Sequence, residues 1–83
     1  MRSTFRQDTR EVTLLARHIP LSAVKKATAV LGQWLAHKTF AREIHGSGNL
    51  SLKVTYHWRL LSRDNGESWE LMSHEKYNRL KDR

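Results

Sequence analysis

The chain has no cysteine, which excludes disulfide staples and thiolate metal ligands and suits a reducing compartment. No apolar run approaches the roughly 18 residues of a membrane-spanning helix, and the opening MRSTFRQDTRE is too charged for a secretory signal. With a single proline, Pro20, and four glycines, nothing in the chain reads as a linker, a repeat or a low-complexity tract. Acidic residues are scarce as well: 8 Asp and Glu against 15 Lys and Arg leave a charge of +7, with five His in addition. The expectation is a cytoplasmic protein without membrane contact, whose partners are polyanions or acidic proteins. A chain of 83 residues buries roughly 60 to 65% of its unfolded surface, so one small domain spanning residues 1–83 is expected.

The densest information lies between Asn49 and Leu80. Leu52, Val54, Tyr56, Trp58 and Leu60 alternate with Lys53, Thr55, His57 and Arg59, which predicts one strand with a buried and an open face. Asp64-Asn65-Gly66-Glu67 then signals a hairpin, because Asn and Gly tolerate the positive φ of a two-residue turn. Centring the turn on Asn65-Gly66 sets Leu60 opposite Leu71, Trp58 opposite Ser73, Arg59 opposite Met72 and His57 opposite His74. A slip by one residue would bury Lys53, His57 and Arg59, so the register is well specified. Lys53, His57, Arg59 and His74 are thereby predicted to converge on an open sheet face.

The preceding residues read as helical support. Phe5, Val12, Leu15 and Ala16 fall on one helical stripe, with capping boxes at Thr4/Gln7 or Asp8/Glu11, which predicts a first helix ending near Arg17. His18-Ile19-Pro20 breaks it. From about Leu21 to His37, Leu21, Val24, Ala27, Leu31, Trp34 and Leu35 recur at helical spacing and predict a second, antiparallel helix with Trp34 in the core. Residues 41–45 read as a short strand, and Gly46-Ser47-Gly48-Asn49 as a loop without the Lys-Ser/Thr of a phosphate-cradling motif. Ser73 is the predicted N-cap of a short C-terminal helix. The expected fold is α+β: an N-terminal helical hairpin on one face of a small antiparallel sheet, closed by a short C-terminal helix.

A helical hairpin followed by LSLKVTYHWRLL, a tight turn and ESWELMSHEKYNRL resembles the RelE/ParE superfamily of bacterial toxins, in particular its compact ParE-like members, over roughly residues 18–80. The N-terminal strand that many members carry is not visible in the sequence. The resemblance implies a toxin of a type II toxin–antitoxin pair, neutralised by an acidic or amphipathic antitoxin segment. It also implies one of two targets. RelE-like members cleave messenger RNA in the ribosome, whereas ParE-like members poison DNA gyrase and need no nuclease site.

Metal-independent RNA cleavage needs a base for the attacking 2′-hydroxyl, cations for the phosphorane and an acid for the leaving oxygen. By position in the family pattern, Arg59 would stabilise phosphate and Lys53 would be a basic residue upstream of it. His57 and His74 would serve as base and acid, and Tyr77 would stack on a base or complete the acid pair. Each has a plainer alternative: Arg59 paired with Glu70, His74 as a helix-end residue, Tyr77 as packing. His57 and His74 lack a third ligand for a metal, so no metal or cofactor is expected. A non-catalytic basic module that binds nucleic acid or an acidic protein stands as the remaining alternative.

Overall fold

The structure is a computed structural model that describes residues 2–7 and 10–80. Its best-encoded element is the helix α1 (Leu21–Leu35), which buries Ala23, Val24, Ala27, Leu31 and Leu35 along one stripe. Pro20 sets its start: the proline carbonyl accepts from the Ala23 and Val24 N–H groups at 3.0 and 3.1 Å. At its other end His37 turns left-handed (φ 60°). The His37 N–H then donates to the Trp34 carbonyl and the Lys38 N–H to the Gln33 carbonyl, closing the helix with His in the position glycine commonly takes.

The sheet has six strands in the order β1-β2-β6-β5-β4-β3: β1 (Arg2–Gln7), β2 (Arg10–Ala16), β3 (Arg42–Glu43), β4 (Leu50–Lys53), β5 (Trp58–Ser62) and β6 (Ser68–Ser73). Strands β3 to β6 form an antiparallel meander, and β1 pairs antiparallel with β2. In the middle, β2 lies parallel to β6, with Leu14 beside Trp69 and Ala16 beside Leu71. A parallel neighbour requires a crossover, and α1 supplies part of it. The helix α2 (His74–Leu80) follows β6 directly, with the Ser73 hydroxyl accepting from the Lys76 N–H at 3.2 Å.

Three expectations are corrected here. There is no N-terminal helical hairpin: β1 and β2 stand where the first helix was expected, and the chain does carry N-terminal strands. Val12, Leu14 and Ala16 are buried while Glu11 is exposed and Thr13 and Leu15 are half-buried, a period of two that outcompetes the weaker helical stripe through Val12, Leu15 and Ala16. Asp8 of the second capping box lies outside the described residues, as does the Phe5 side chain. The sheet is mixed, not antiparallel. Finally, the single strand expected from Leu52 to Leu60 is two strands, β4 and β5, folded back on each other at residues 54–57, with Leu52 opposite Leu60 and Lys53 opposite Arg59.

The β5–β6 register agrees with the expectation, Trp58 opposite Ser73, Arg59 opposite Met72 and Leu60 opposite Leu71. Period-two alternation then sorts every strand into two faces. Val12, Leu14, Ala16, Leu52, Leu60, Trp69 and Leu71 join the α1 stripe in the main core. Each fully buried leucine there contributes on the order of 1.5 to 3 kcal/mol. Trp34 caps this core edge-on to Trp69, their rings 5.1 Å apart. On the reverse face Ile44, Leu61, Met72 and Tyr77 form a second, smaller cluster under α2, so the face expected to be open is partly covered.

Candidate functional site

The reverse face is where the cations gather, and the register explains why. Arg42 pairs with Ser51 on β4, which pairs with Leu61 on β5; Lys53, two residues along β4, pairs with Arg59. Residues two apart on a strand share a face, so Arg42, Lys53 and Arg59 lie on the same side as Leu61 and Met72. Because β3 has only two residues and pairs only with Leu50 and Ser51, the outer edge of β4 at Leu52 and Lys53 has no strand beside it. A cleft of about 490 Å³ opens at that place. It is lined by Arg42, Lys53, Arg59, His74, Tyr77 and Asn78, with Phe40, Gln33 and Thr39 on the α1 side, and no acidic residue lines it.

Four of the five expected site residues therefore meet in one cleft: Lys53, Arg59, His74 and Tyr77. His57 does not line it. His57 is exposed in the reversal between β4 and β5, its ring edge-on to Tyr56 at 5.3 Å. Its carbonyl does accept from the His74 N–H at 2.8 Å, so the two backbones are neighbours as the register requires.

Arg59 does not pair with Glu70. Its guanidinium donates to the backbone carbonyls of Thr55, Tyr56 and Trp58, tying down the reversal that precedes its own strand. Glu70 is held instead by Lys76 of α2, N to O 2.9 Å. Both side chains of that pair are substantially exposed, so it contributes at most about 1 kcal/mol.

His74 opens α2, half-buried, with the Tyr56 ring stacked over it at 6.3 Å and 18°. Its Nε2 lies 3.1 Å from Asn78 Nδ2, one helical turn on. With the amide assigned in that sense, Nε2 accepts and the neutral ring carries its proton on Nδ1. Nδ1 is buried and has no hydrogen-bond partner among the described residues. Tyr77 is buried in the small cluster and also lines the cleft. Chemically, the arrangement offers three side chains carrying fixed positive charge and two that can exchange a proton, the requirements for binding a phosphodiester and for moving protons around it. Among the described residues no group of three His, Asp or Glu side chains is placed to hold a metal ion, and no helix is long and apolar enough to cross a membrane.

Sequence reasoning missed Arg42, Asn78, Phe40 and Tyr56. Asn78 was findable as the residue one helical turn after His74. Arg42 was not, because its place on the cationic face depends on the pairing of a two-residue strand.

The family model for the ParE-like toxin domain matches residues 21–79, from α1 through most of α2, and so includes every residue of the cleft and none of β1 or β2. No curated protein and no solved structure matches the chain.

Proposed function

This chain belongs to the ParE-like toxin domain family and is the toxin of a toxin–antitoxin pair; from that premise we propose that it is a metal-independent endoribonuclease, a single toxin domain that cuts messenger RNA on the ribosome in the cytoplasm. The observation that carries this reading is the cleft in which Arg42, Lys53 and Arg59 meet His74 and Tyr77 with no acidic residue among them. Arg42 and Lys53 hold the scissile phosphate and, with the part of the Arg59 guanidinium not engaged by carbonyls, offset the charge of the phosphorane. His74 and Tyr77 divide the proton transfers: one side takes the proton of the attacking 2′-hydroxyl, the other protonates the leaving 5′-oxygen. His57, outside the cleft, is given no part in the chemistry. The antitoxin, by this reading, is a protein with an acidic or amphipathic segment that covers the same cations.

A second reading has its own observation. Three backbone bonds to Arg59 are what a structural arginine makes, and a cleft used only for docking would fit a gyrase-directed toxin with no chemistry of its own. The two are separated by incubating the purified protein with ribosomes carrying messenger RNA and, in parallel, with gyrase and supercoiled DNA. Message cleavage is expected, slowed about 10²- to 10⁴-fold in His74→Ala with the melting temperature nearly unchanged. Intact message together with trapped gyrase–DNA cleavage would overturn the nuclease reading.

A further inference from the structure

Two aromatic side chains stand in the solvent beside the cationic cleft, and neither belongs to an apolar cluster. Phe40 lines the cleft and is 90% exposed, and Tyr56 is 75% exposed. Leaving a phenylalanine in water forfeits roughly 2 kcal/mol of burial, and three aliphatic or aromatic residues alone, these two and Leu21, do so among the described residues. Tyr56 is placed, not loose. Arg59 clamps the carbonyls on both sides of it, and one face of its ring lies against His74, which itself lines the cleft. With His57 edge-on at 5.3 Å as a second ring neighbour, the side chain still keeps three-quarters of its surface in solvent.

We infer that Phe40 and Tyr56 are base-stacking platforms at the two sides of the cleft, so that a single-stranded RNA segment crosses it with its backbone on Arg42, Lys53 and Arg59 and a base on each ring. This rests on the reading of the cleft as an RNA site. The chemistry favours nucleic acid over a purely acidic peptide because carboxylates use the cations and not the ring faces, whereas every base presents a π-face beside its phosphate; an amphipathic antitoxin segment that covers the cations would cover the rings as well. It favours a single strand because duplex bases are already stacked on one another. Recognition of this kind is tolerant of sequence, with the cations supplying the salt-dependent part of affinity and the rings the salt-independent part.

The test is fluorescence anisotropy of a labelled single-stranded RNA of about eight nucleotides, a length within the range of known single-strand sites, against the whole chain over a series of salt concentrations. Phe40→Ala and Tyr56→Ala should each weaken binding about 5- to 100-fold without changing the slope of affinity against salt. Phe40→Trp and Tyr56→Phe should bind as the parent does. Lys53→Ala should instead reduce the salt slope by about one. An abasic strand of the same length should bind weakly and be indifferent to the two alanine changes. Alanine variants that bind RNA like the parent overturn the platforms, and if the parent still cuts ribosome-bound message the nuclease reading survives that result. Platforms confirmed on a protein that leaves message intact and traps gyrase would sink the nuclease reading alone. A parent protein that binds an acidic peptide but no RNA overturns the inference.

Discussion

The strand β5 is entered and left by tight reversals built from different materials. The one after it, residues 62–68, carries its instructions in its own side chains. Asn65 and Gly66 both take positive φ, 60° and 91°, and Asp64 gathers the Ser62 hydroxyl (2.9 Å), the Ser68 N–H (2.9 Å) and the Ser68 hydroxyl (2.6 Å), while the Ser62 oxygen accepts from the Gly66 N–H at 2.8 Å. The one before it, Val54-Thr55-Tyr56-His57, has no Gly, Pro, Asn or Asp. It closes through the Trp58 and Thr55 backbones and is pinned from outside by Arg59. A self-specified turn is positioned by conformational preference. A turn held by a cation from the neighbouring strand is tied to the cleft that cation lines.

The largest expected effect tests the self-specified turn. A Cβ on Gly66 would come within 2.5 Å of the Trp34 ring, at a backbone angle that L-residues avoid. Gly66→Ala should therefore destabilise by about 2 to 4 kcal/mol, from strain and overpacking together, read as a shifted denaturation midpoint; a loss under about 0.5 kcal/mol would mean that Trp34 moves aside freely. Next comes Arg59→Ala. A merely exposed arginine would matter by about 0.5 kcal/mol, but loss of charge-assisted bonds to three carbonyls should cost about 1 to 2 kcal/mol and abolish growth arrest on expression. Thermal melts and a growth assay on that one variant show whether fold and function part company there.

Asp64→Ala should cost about 1 kcal/mol through its lost hydrogen bonds, and it carries a pH signature. Burial pushes the Asp64 carboxyl up, but the hydrogen bonds from the Ser68 side chain, the Ser68 backbone and the Ser62 hydroxyl together outweigh it and hold the group below its ordinary value. A depressed folded-state pKa gives stability that is fully present above the unfolded value of about 3.9 and disappears as pH falls through the lower folded one. The alanine variant should thus lie closest to the parent at the acid end, which melts at a series of pH values would reveal; an equal gap at all pH values would refute the assignment. The smallest effect belongs to His57→Ala. With its side chain outside the cleft it should change stability by less than about 0.5 kcal/mol and leave growth arrest intact, and a loss of toxicity would return it to the site.

The same contrast explains how much of the molecule was legible. The hairpin after β5 could be read residue by residue because its turn preference and its alternation agree. The helix α1 was equally plain from its stripe and its proline, and α2 from Ser73. The reversal at 54–57 was invisible because Leu52, Val54, Tyr56, Trp58 and Leu60 continue their alternation straight through it, and its fastening is an arginine side chain folded back on carbonyls one to four residues before it, which no turn preference encodes. The hairpin β1–β2 was misread because a stripe through Val12, Leu15 and Ala16 competes with the alternation Val12, Leu14, Ala16, and only pairing with β6 decides between them. For the cleft, Lys53, Arg59 and His74 came from the alternation and the hairpin register and Tyr77 from the family resemblance, whereas Phe40 and Tyr56 are conspicuous only once their exposure is known.

The parallel pairing of β2 with β6 has a consequence for the order of events during synthesis. Residues 13–16 find their sheet neighbours at residues 68–71, so a nascent chain emerging N-terminus first holds β1 and β2 beside a vacancy until the last strand of the meander is translated. Contacts this distant in sequence form late and slowly. Leu14 and Trp69, adjacent in the finished core, cannot meet earlier, and the cleft residues His74, Tyr77 and Asn78 lie later still. A growing chain thus has neither a closed sheet nor a cleft until these residues have been added, so the site is assembled together with the last pairing of the core.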